Sequence, residues 1–171
     1  PGRKKRLLAL EAAGAEILLL KADAADRHQM QAVFHQVEEK FGQINGIIHA
    51  AGNVGEKFLC QLKDMGKPEV QLHFEPKIYG LIVLAELLKD KPVDFCLLMS
   101  STSAILGGLG FGAYAAANRF MDIYTYLLNK HSRTRWLSVN WDSWRQEKQE
   151  VGERALGAEI NELAITPSEG V

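Results

Sequence analysis

The stretch LLMSSTSAILGGLGFGAYAAANRFMDIY, residues 97–124, decides how the chain folds. Its apolar start runs into four small hydroxyl residues, Ser100 to Ser103, which is typical of a buried strand that delivers hydroxyl groups to a site. A glycine-rich loop follows. The helical pattern that begins near Gly112 carries Tyr114 and, one turn later on the same face, Asn118. A strand and a helix are therefore predicted to bring a hydroxyl and a phenol to one place.

The rest of the chain alternates short apolar runs with segments of helical periodicity. The apolar runs are continuous rather than alternating, which is typical of a parallel sheet covered by helices on both faces. The predicted class is a doubly wound α/β domain, in which ligands bind beyond the carboxyl ends of the strands. Strands are predicted at residues 16–21, 45–50, 94–99 and 136–141, and helices at residues 4–13, between Asp26 and Gly42, and at residues 67–88, 112–129 and 153–164.

Two local signals refine the helix predictions. Asp26 followed by Gln29 three residues later has the spacing of a capping box at a helix start. Pro76 is predicted to start or kink part of the helix that contains it, because proline removes an internal hydrogen bond.

Length and composition indicate one globular domain, residues 1–171. The chain is 47% hydrophobic and 24% charged, and its net charge of -1 gives no overall attraction to nucleic acid or to an anionic membrane. Cys60 and Cys96 do not form a disulfide framework, and Cys96 is predicted to be a buried thiol. The longest apolar stretch, Leu81 to Leu88, is too short for a membrane span. A cytoplasmic protein without a metal site is predicted.

The glycines of the loop resemble a dinucleotide fingerprint, but the match is rejected. Gly108, Gly110 and Ala113 have the spacing G-x-G-x-x-A, yet eight residues separate Met99 from Gly108. The fingerprint glycines should follow the strand at once, and an acidic residue should lie roughly 20 residues further on. The glycines are instead predicted to let the backbone turn tightly beside a bound ligand.

Tyr114 is a candidate acid/base whose phenol needs help to work near neutral pH. A tyrosine pKa is ordinarily about 10, and a neighbouring cation lowers it by favouring the phenolate. No lysine lies four residues after Tyr114, where Asn118 stands. Lys77, in the segment FEPKIYG on the preceding long helix, is the candidate cation.

These residues together resemble the active-site segment of short-chain dehydrogenases/reductases, with SS at a strand end, a GGLG loop and YAAAN. Members of that superfamily usually place a lysine four residues after the tyrosine, whereas here Asn118 stands there and Lys77 precedes Tyr114 by 37 residues. This exchange is similar to that in the ketoreductase domains of modular polyketide synthases. Three other segments match that family, namely ADAAD at residues 22–26, HAAG at residues 49–52 and VNWDSW at residues 139–144.

The resemblance implies a role for each matched residue. Tyr114 donates a proton to a substrate carbonyl oxygen, and Ser101 hydrogen-bonds the same oxygen. Lys77 lowers the tyrosine pKa and contacts the cofactor ribose or a proton relay, and Asn118 supports the lysine and the relay water. The implied cofactor is NADPH. Its implied binding residues are Asp23, which would accept from the adenine amino group, then Ala24, His49, Ala50, Ala51 and Gly52, with Lys77 and Tyr114.

The resemblance also implies a reaction and partners. The reaction is reduction of a β-ketoacyl thioester, carried on an acyl carrier protein, within a polyketide or polyketide/nonribosomal peptide synthase whose other domains are partners. It further implies that the first β-α-β unit of the fold, with its glycine-rich cofactor loop, precedes Pro1. Residues 1–171 alone are therefore expected to bind NADPH weakly and to be inactive.

Three other functions are considered. A non-reducing structural domain of a synthase and the ketoreductase of a fatty acid synthase both stay open. A free-standing reductase of small alcohols or steroids is disfavoured, because such enzymes usually place the lysine four residues after the tyrosine.

The sequence departs from the family pattern at three places. Asp142 replaces the glycine that follows NW, so the loop beside the substrate is expected to have a different shape. Two further departures leave the product stereochemistry open, and the first is that Asn53 to Glu56 stand where an acidic LDD triplet marks one stereochemical type. Leu106 stands where a tryptophan marks the other type.

Overall fold

The computed structural model describes residues 2–53, 60–144, 164–166 and 168–170. Within these ranges helices and strands alternate largely as predicted. In chain order the elements are α1 (Gly2–Ala12), α2 (Arg27–Phe41), β1 (Gly46–His49), a 3₁₀ helix (Leu62–Asp64), α3 (Lys67–Phe74), a π-helical segment (Glu75–Tyr79), α4 (Gly80–Leu88), β2 (Phe95–Ser101), α5 (Ser103–Leu106), α6 (Gly112–His131) and β3 (Arg135–Trp141).

The three strands form one parallel sheet in the order β1-β2-β3. His49 at the end of β1 pairs with Leu98, and Ser101 at the end of β2 pairs with Trp141 at the end of β3. The carboxyl ends of the strands therefore meet at one edge of the sheet, which is where a doubly wound α/β fold binds ligands. The predicted fold class is confirmed.

The hydrophobic core lies on one face of this sheet. Cys96, Leu98 and Trp136 share that face and are at most 2% exposed. They pack against buried side chains of α2, α4 and α6, which are Phe34, Leu81, Leu84, Leu88 and Met121. Burial also raises the pKa of the Cys96 thiol to about 12, as expected for the buried, unreactive thiol predicted there.

The opposite face of the sheet is covered less among the described residues. Ile48 is 63% exposed and Leu137 is 37% exposed, and burial alternates along β2. Among the described helices, α2, α4 and α6 all pack on the core face of the sheet.

The difference in burial between the two faces of the sheet leads to a prediction about stability. We expect Leu98→Ala to lower the free energy of unfolding by roughly 2 to 5 kcal/mol, because it removes a fully buried side chain and leaves a cavity. Leu137→Ala is the matched control on the opposite face and should cost less than half as much. Chemical denaturation of both variants measures the difference, and equal losses would contradict the one-sided core.

The strand predicted at residues 16–21 is not present. Residues 15–23 have no regular secondary structure, and Leu19 is 76% exposed. The segment is instead tied to α2, where the Lys40 amine pairs with Glu16 at 3.0 Å and donates to the Ile17 carbonyl at 3.4 Å. A strand needs a neighbour to hydrogen-bond its backbone, and no described strand lies beside this segment.

The start of α2 follows its sequence signal closely. Asp26 accepts from the backbone N–H groups of His28 and Gln29 with one carboxylate oxygen, and the Gln29 side chain donates to the other at 2.8 Å. These bonds, above all the one from the Gln29 backbone, lower the pKa of Asp26. Gly42 ends the helix at φ 86°, a conformation that favours glycine.

Pro76 changes the geometry of its helix, as predicted. It lies in the π-helical segment, where the N–H of Gly80 donates to the Glu75 carbonyl. Because proline has no N–H, the Leu72 carbonyl four residues earlier lacks its usual helical donor. The side-chain amide of Asn53 donates to that carbonyl at 2.6 Å. The loop after β1 is thereby attached to the helix that carries Lys77.

The helix predicted at residues 153–164 lies outside the described residues, apart from residue 164. The helices that the structure describes include none with both the length and the apolar character needed to cross a bilayer. Among the same residues, no three or more His, Cys, Asp or Glu side chains form a group suited to a metal ion.

Candidate active site

Lys77 and Tyr114 lie together although they are far apart in sequence. Lys77 is only 5% exposed and its amine donates to the Met99 carbonyl of β2 at 3.1 Å. The same amine is 5.4 Å from the centre of the Tyr114 ring. The π-helical segment, the carboxyl end of β2 and the first turn of α6 thus meet around one ammonium group.

Burial changes the acidity of Lys77. Removal from water disfavours the charged form and lowers the pKa of Lys77 to about 8, while the Asp122 carboxylate acts in the opposite direction. A lysine of this acidity exchanges its proton readily near neutral pH. It can also place a positive charge beside a phenol that is about to lose a proton.

Asn118 is completely buried one turn after Tyr114. Its side-chain N–H donates to the Tyr114 carbonyl at 2.9 Å, and its backbone carbonyl accepts from the Ser100 hydroxyl at 3.4 Å. The side-chain oxygen of Asn118 has no hydrogen-bond partner within the described ranges. A buried polar oxygen of this kind fits a bound water or a cofactor hydroxyl.

Ser101 is the last residue of β2, two positions after Met99. Its hydroxyl oxygen accepts from the backbone N–H of Ser103 at 3.2 Å and from the Ser103 hydroxyl at 3.0 Å. Both bonds use the oxygen of Ser101 as acceptor, so its own proton can be donated to a ligand. The short helix α5, which the sequence did not predict, supplies these bonds.

The ring of Tyr114 contacts two aromatic side chains. The His73 ring lies edge-on at 5.6 Å between centroids, and the Phe111 ring is tilted at 5.8 Å. His73 is buried on α3 and was not identified from the sequence. Its position four residues before Lys77 was the only available signal, since that spacing places both on one helix side.

The residues implied to bind the cofactor adjoin this group. A Cβ atom on Gly80 would lie 3.1 Å from the Ala24 side chain and 3.4 Å from the His49 ring, so those two residues meet at α4. A Cβ atom on Gly52 would lie 3.2 Å from Cε of Lys77. Gly52 therefore allows its backbone to approach the lysine closely.

His49 is buried, and its pKa is well below the usual value of a histidine. Burial first, and then the charge of Lys77, lower the pKa of His49 to about 4, whereas a hydrogen bond to the Pro76 backbone acts the other way. The ring is therefore neutral near pH 7. Its Nε2 atom has no hydrogen-bond partner in the part of the chain that the structure describes.

The remaining implied residues are more exposed. Asp23 is exposed and accepts from the Ala25 backbone N–H at 2.9 Å. Ala50 is exposed, Ala51 is half-buried, and both follow His49 directly. The structure thus gathers Ala24, His49, Gly52, Lys77, Tyr114 and Asn118 into direct or shared contacts, and it leaves Asp23 at the surface.

The glycine loop behaves as the sequence predicted for its backbone. Gly107, Gly108 and Gly110 all have positive φ, between 72° and 147°. A Cβ atom on Gly108 would lie 2.8 Å from the Phe111 ring. These positions require glycine for the turn itself, without any nucleotide fingerprint.

The departures from the family pattern are placed as follows. Asp142 is exposed and accepts from the Ser143 backbone N–H at 2.7 Å. Leu106 at the end of α5 is 82% exposed. Asn53 is anchored on α3 by its bond to Leu72, and residues 54–59 lie outside the described residues.

Comparisons with known proteins agree on one family. Residues 1–146 match the family model of the KR domain. The chain is 33% identical over 174 residues to polyketide synthase PksN of Bacillus subtilis, covering 96% of this chain and 3% of that protein. It is 34% identical over 177 residues to polyketide synthase PksL of the same organism, covering 99% of this chain and 4% of that protein.

A solved structure gives the same result for the fold. A ketoreductase domain from the bacillaene assembly line superimposes with a TM-score of 0.82 at 29% identity, covering 99% of this chain and 42% of that one. The chain spans only a small fraction of the length of the curated relatives it matches. Sequence, fold and site geometry converge, and the chain belongs to the KR family, the ketoreductase domains of polyketide synthases.

Proposed function

We propose that this ketoreductase domain reduces a β-ketoacyl thioester, carried on an acyl carrier protein, to the β-hydroxyacyl thioester with NADPH. Membership of the family makes the chain an oxidoreductase that uses a nicotinamide cofactor. The choice of NADPH, the carrier-bound substrate and the individual residue roles belong to the proposal.

The position of Lys77 beside Tyr114 is the observation that supports the proposal most strongly. The buried Lys77 ammonium lies 5.4 Å from the centre of the Tyr114 ring, although Asn118 and not a lysine stands four residues after the tyrosine. A scaffold gains nothing from a desolvated lysine beside a phenol, because burying the charge costs free energy. A reductase gains from it, because the cation makes the phenol a better proton donor.

The side chains around Lys77 fit a nicotinamide cofactor. His49 and Asn118 each have a buried polar atom without a partner among the described residues, and Gly52 leaves room beside the lysine. The residues proposed to hold the cofactor are Asp23, Ala24, His49, Ala50, Ala51 and Gly52, together with Lys77 and Tyr114. When bound, NADPH supplies a hydride to the substrate carbonyl carbon.

The protein's own residues manage the charge and the proton. As the carbonyl carbon gains the hydride, negative charge develops on its oxygen, and the hydroxyls of Ser101 and Tyr114 stabilise that charge by hydrogen bonds. Tyr114 then gives its proton to the oxygen, which yields the alcohol and a phenolate. Lys77 stabilises the phenolate and returns a proton to it, and Asn118 holds the route by which that proton is replaced.

The partners follow from the same proposal. The relatives PksN and PksL are polyketide synthases of which this chain matches a few per cent, so other synthase domains are the expected neighbours. Residues 1–171 are proposed to be part of a single catalytic domain. A cytoplasmic location stays a prediction from composition.

The test is an assay of the protein in its native polypeptide. We expect loss of NADPH absorbance when a β-ketoacyl thioester of a carrier protein or of a pantetheine analogue is added, with formation of the β-hydroxy product. A hydroxy product formed with NADH alone would refute the cofactor assignment. Absence of any reduction, in a protein shown to be folded, would favour the non-reducing structural domain.

The range of accepted substrates distinguishes a polyketide ketoreductase from the ketoreductase of a fatty acid synthase. A polyketide ketoreductase should accept α-substituted β-ketoacyl thioesters, and competition between a substituted and an unsubstituted thioester measures this. Strict preference for unsubstituted chains of increasing length would favour the fatty acid role instead.

A further inference from the structure

A chain of polar side chains runs beneath the active site and ends on one carboxylate. Asp122 lies on α6, one turn after Asn118 and two turns after Tyr114. One of its oxygens accepts from the Ser138 hydroxyl at 2.6 Å, and the other accepts from the Asn140 side-chain N–H at 2.9 Å. Both partners belong to β3, so the carboxylate joins helix and sheet.

Asn140 connects this carboxylate to the end of β2. Its side-chain nitrogen is 3.0 Å from the Ser101 carbonyl and 3.2 Å from the Ser100 hydroxyl. The Ser100 hydroxyl in turn donates to the Asn118 carbonyl at 3.4 Å. The backbone of Ser101, whose hydroxyl is proposed to bind the substrate oxygen, is thus held by an amide that Asp122 orients.

The charge of Asp122 also has no close cation. No Lys, Arg or His nitrogen forms an ion pair with it among the described residues. Lys77 is the buried cation of the same region, and the titratable side chains around it among the described residues include His49 from β1, Tyr114 from α6 and His73 of α3, which lies against the Tyr114 ring. His49 is neutral near pH 7 and supplies no negative charge there.

We propose that Asp122 is a positioning residue of this site, whose carboxylate orients Asn140 to fix the Ser100–Ser101 end of β2 and acts as the counter-charge of Lys77. The inference rests on the proposed function, because it gives Ser101 and Lys77 their roles. Asp122 touches neither substrate nor cofactor in this scheme, and acts through other residues.

The electrostatic part predicts a shift in the titration of Lys77. In protein carrying carbon-13 lysine, the Lys77 Cε resonance, assigned by its loss in Lys77→Met, reports the ammonium directly. Asp122→Asn should lower the midpoint by roughly half a pH unit, because a stabilising negative charge is removed. Asp94→Asn, at the opposite end of the sheet, is the matched control and should leave the midpoint unchanged.

The orientation of Asn140 by Asp122 predicts that loss of the carboxylate lowers turnover with little loss of substrate binding. Asp122→Asn should lower kcat about tenfold and change KM less than twofold, because the affected groups act on the developing charge. Ser138→Ala removes one partner of Asp122 but leaves the Asn140 bridge, so its kcat should stay within about twofold of the original protein. Asn140→Ala should lower kcat while the Lys77 midpoint stays in place.

These readouts keep the inference separate from the proposed function. The Lys77 titration needs neither substrate nor cofactor, so it can be measured even if no thioester is reduced. An unchanged midpoint in Asp122→Asn refutes the counter-charge. Equal losses of kcat in Ser138→Ala and Asp122→Asn would mean that only local packing had been disturbed. If Asp122→Asn does not fold, two other variants test the proposal. Asp122→Glu, which keeps the negative charge, tests the counter-charge of Lys77. Asn140→Ala, which keeps the Asp122 carboxylate, tests the positioning of the end of β2.

Discussion

Tyr114→Phe should lower kcat for thioester reduction by roughly a thousandfold or more, the upper range for losing a general acid that also stabilises the developing oxyanion. Phenylalanine keeps the ring that packs against His73 and Phe111. The fold should therefore survive, and the loss should appear in turnover. Single-turnover measurement of NADPH oxidation with a β-ketoacyl thioester separates this chemical step from binding.

The control for this variant lies on the same helix. Tyr126 is 64% exposed on α6, and Tyr126→Phe removes a phenol without touching the site. It should retain full activity. Turnover of Tyr114→Phe close to that of the unmodified protein would show that the proton comes from another group, and it would remove the central step of the proposed mechanism.

The elements around the site could be predicted because their signals are local. Apolar runs of strand length and helical periodicity are properties of neighbouring residues, and they placed β1, β2, β3 and α6 within one or two residues. The capping residues Asp26 and Gly42 bounded α2 for the same reason. The segment at residues 16–21 had an equally good apolar pattern and failed, because a strand also depends on a partner that its own sequence does not encode.

The contacts between elements could not be predicted in the same way. Lys77 was found because a tyrosine without a cation is incomplete, so the chemistry itself demanded a distant residue. Nothing in the sequence indicated a role for Asp122 or Asn140 at the site. Only the pairing of β2 with β3 brings Asn140 opposite Ser100. The bond from Asn53 to the Leu72 carbonyl was equally hidden, although Pro76 indicated that this carbonyl would need another donor.

Lys77→Met should lower kcat on the order of a hundredfold or more while leaving the fold at least as stable at pH 7. Loss of the cation removes the group that favours the Tyr114 phenolate, so proton donation becomes slower. Lys89→Met, at an exposed position just after α4, is the matched control and should keep both activity and stability. Activity retained in Lys77→Met would contradict the role given to the lysine.

The stability of the same variant should depend on pH in a defined direction. Burial lowers the pKa of Lys77 from 10.5 to about 8, so below pH 8 the folded protein carries the full cost of a buried charge, roughly 3 kcal/mol. Between pH 8 and 10.5 the folded state loses its proton before the unfolded state does, and this cost decreases as the pH rises. The stability advantage of Lys77→Met should therefore be largest near pH 7 and should narrow towards pH 10. Urea denaturation of both proteins at pH 7 and pH 9.5 measures this, and a constant difference would mean that Lys77 titrates normally and is not held in a dry site beside Tyr114.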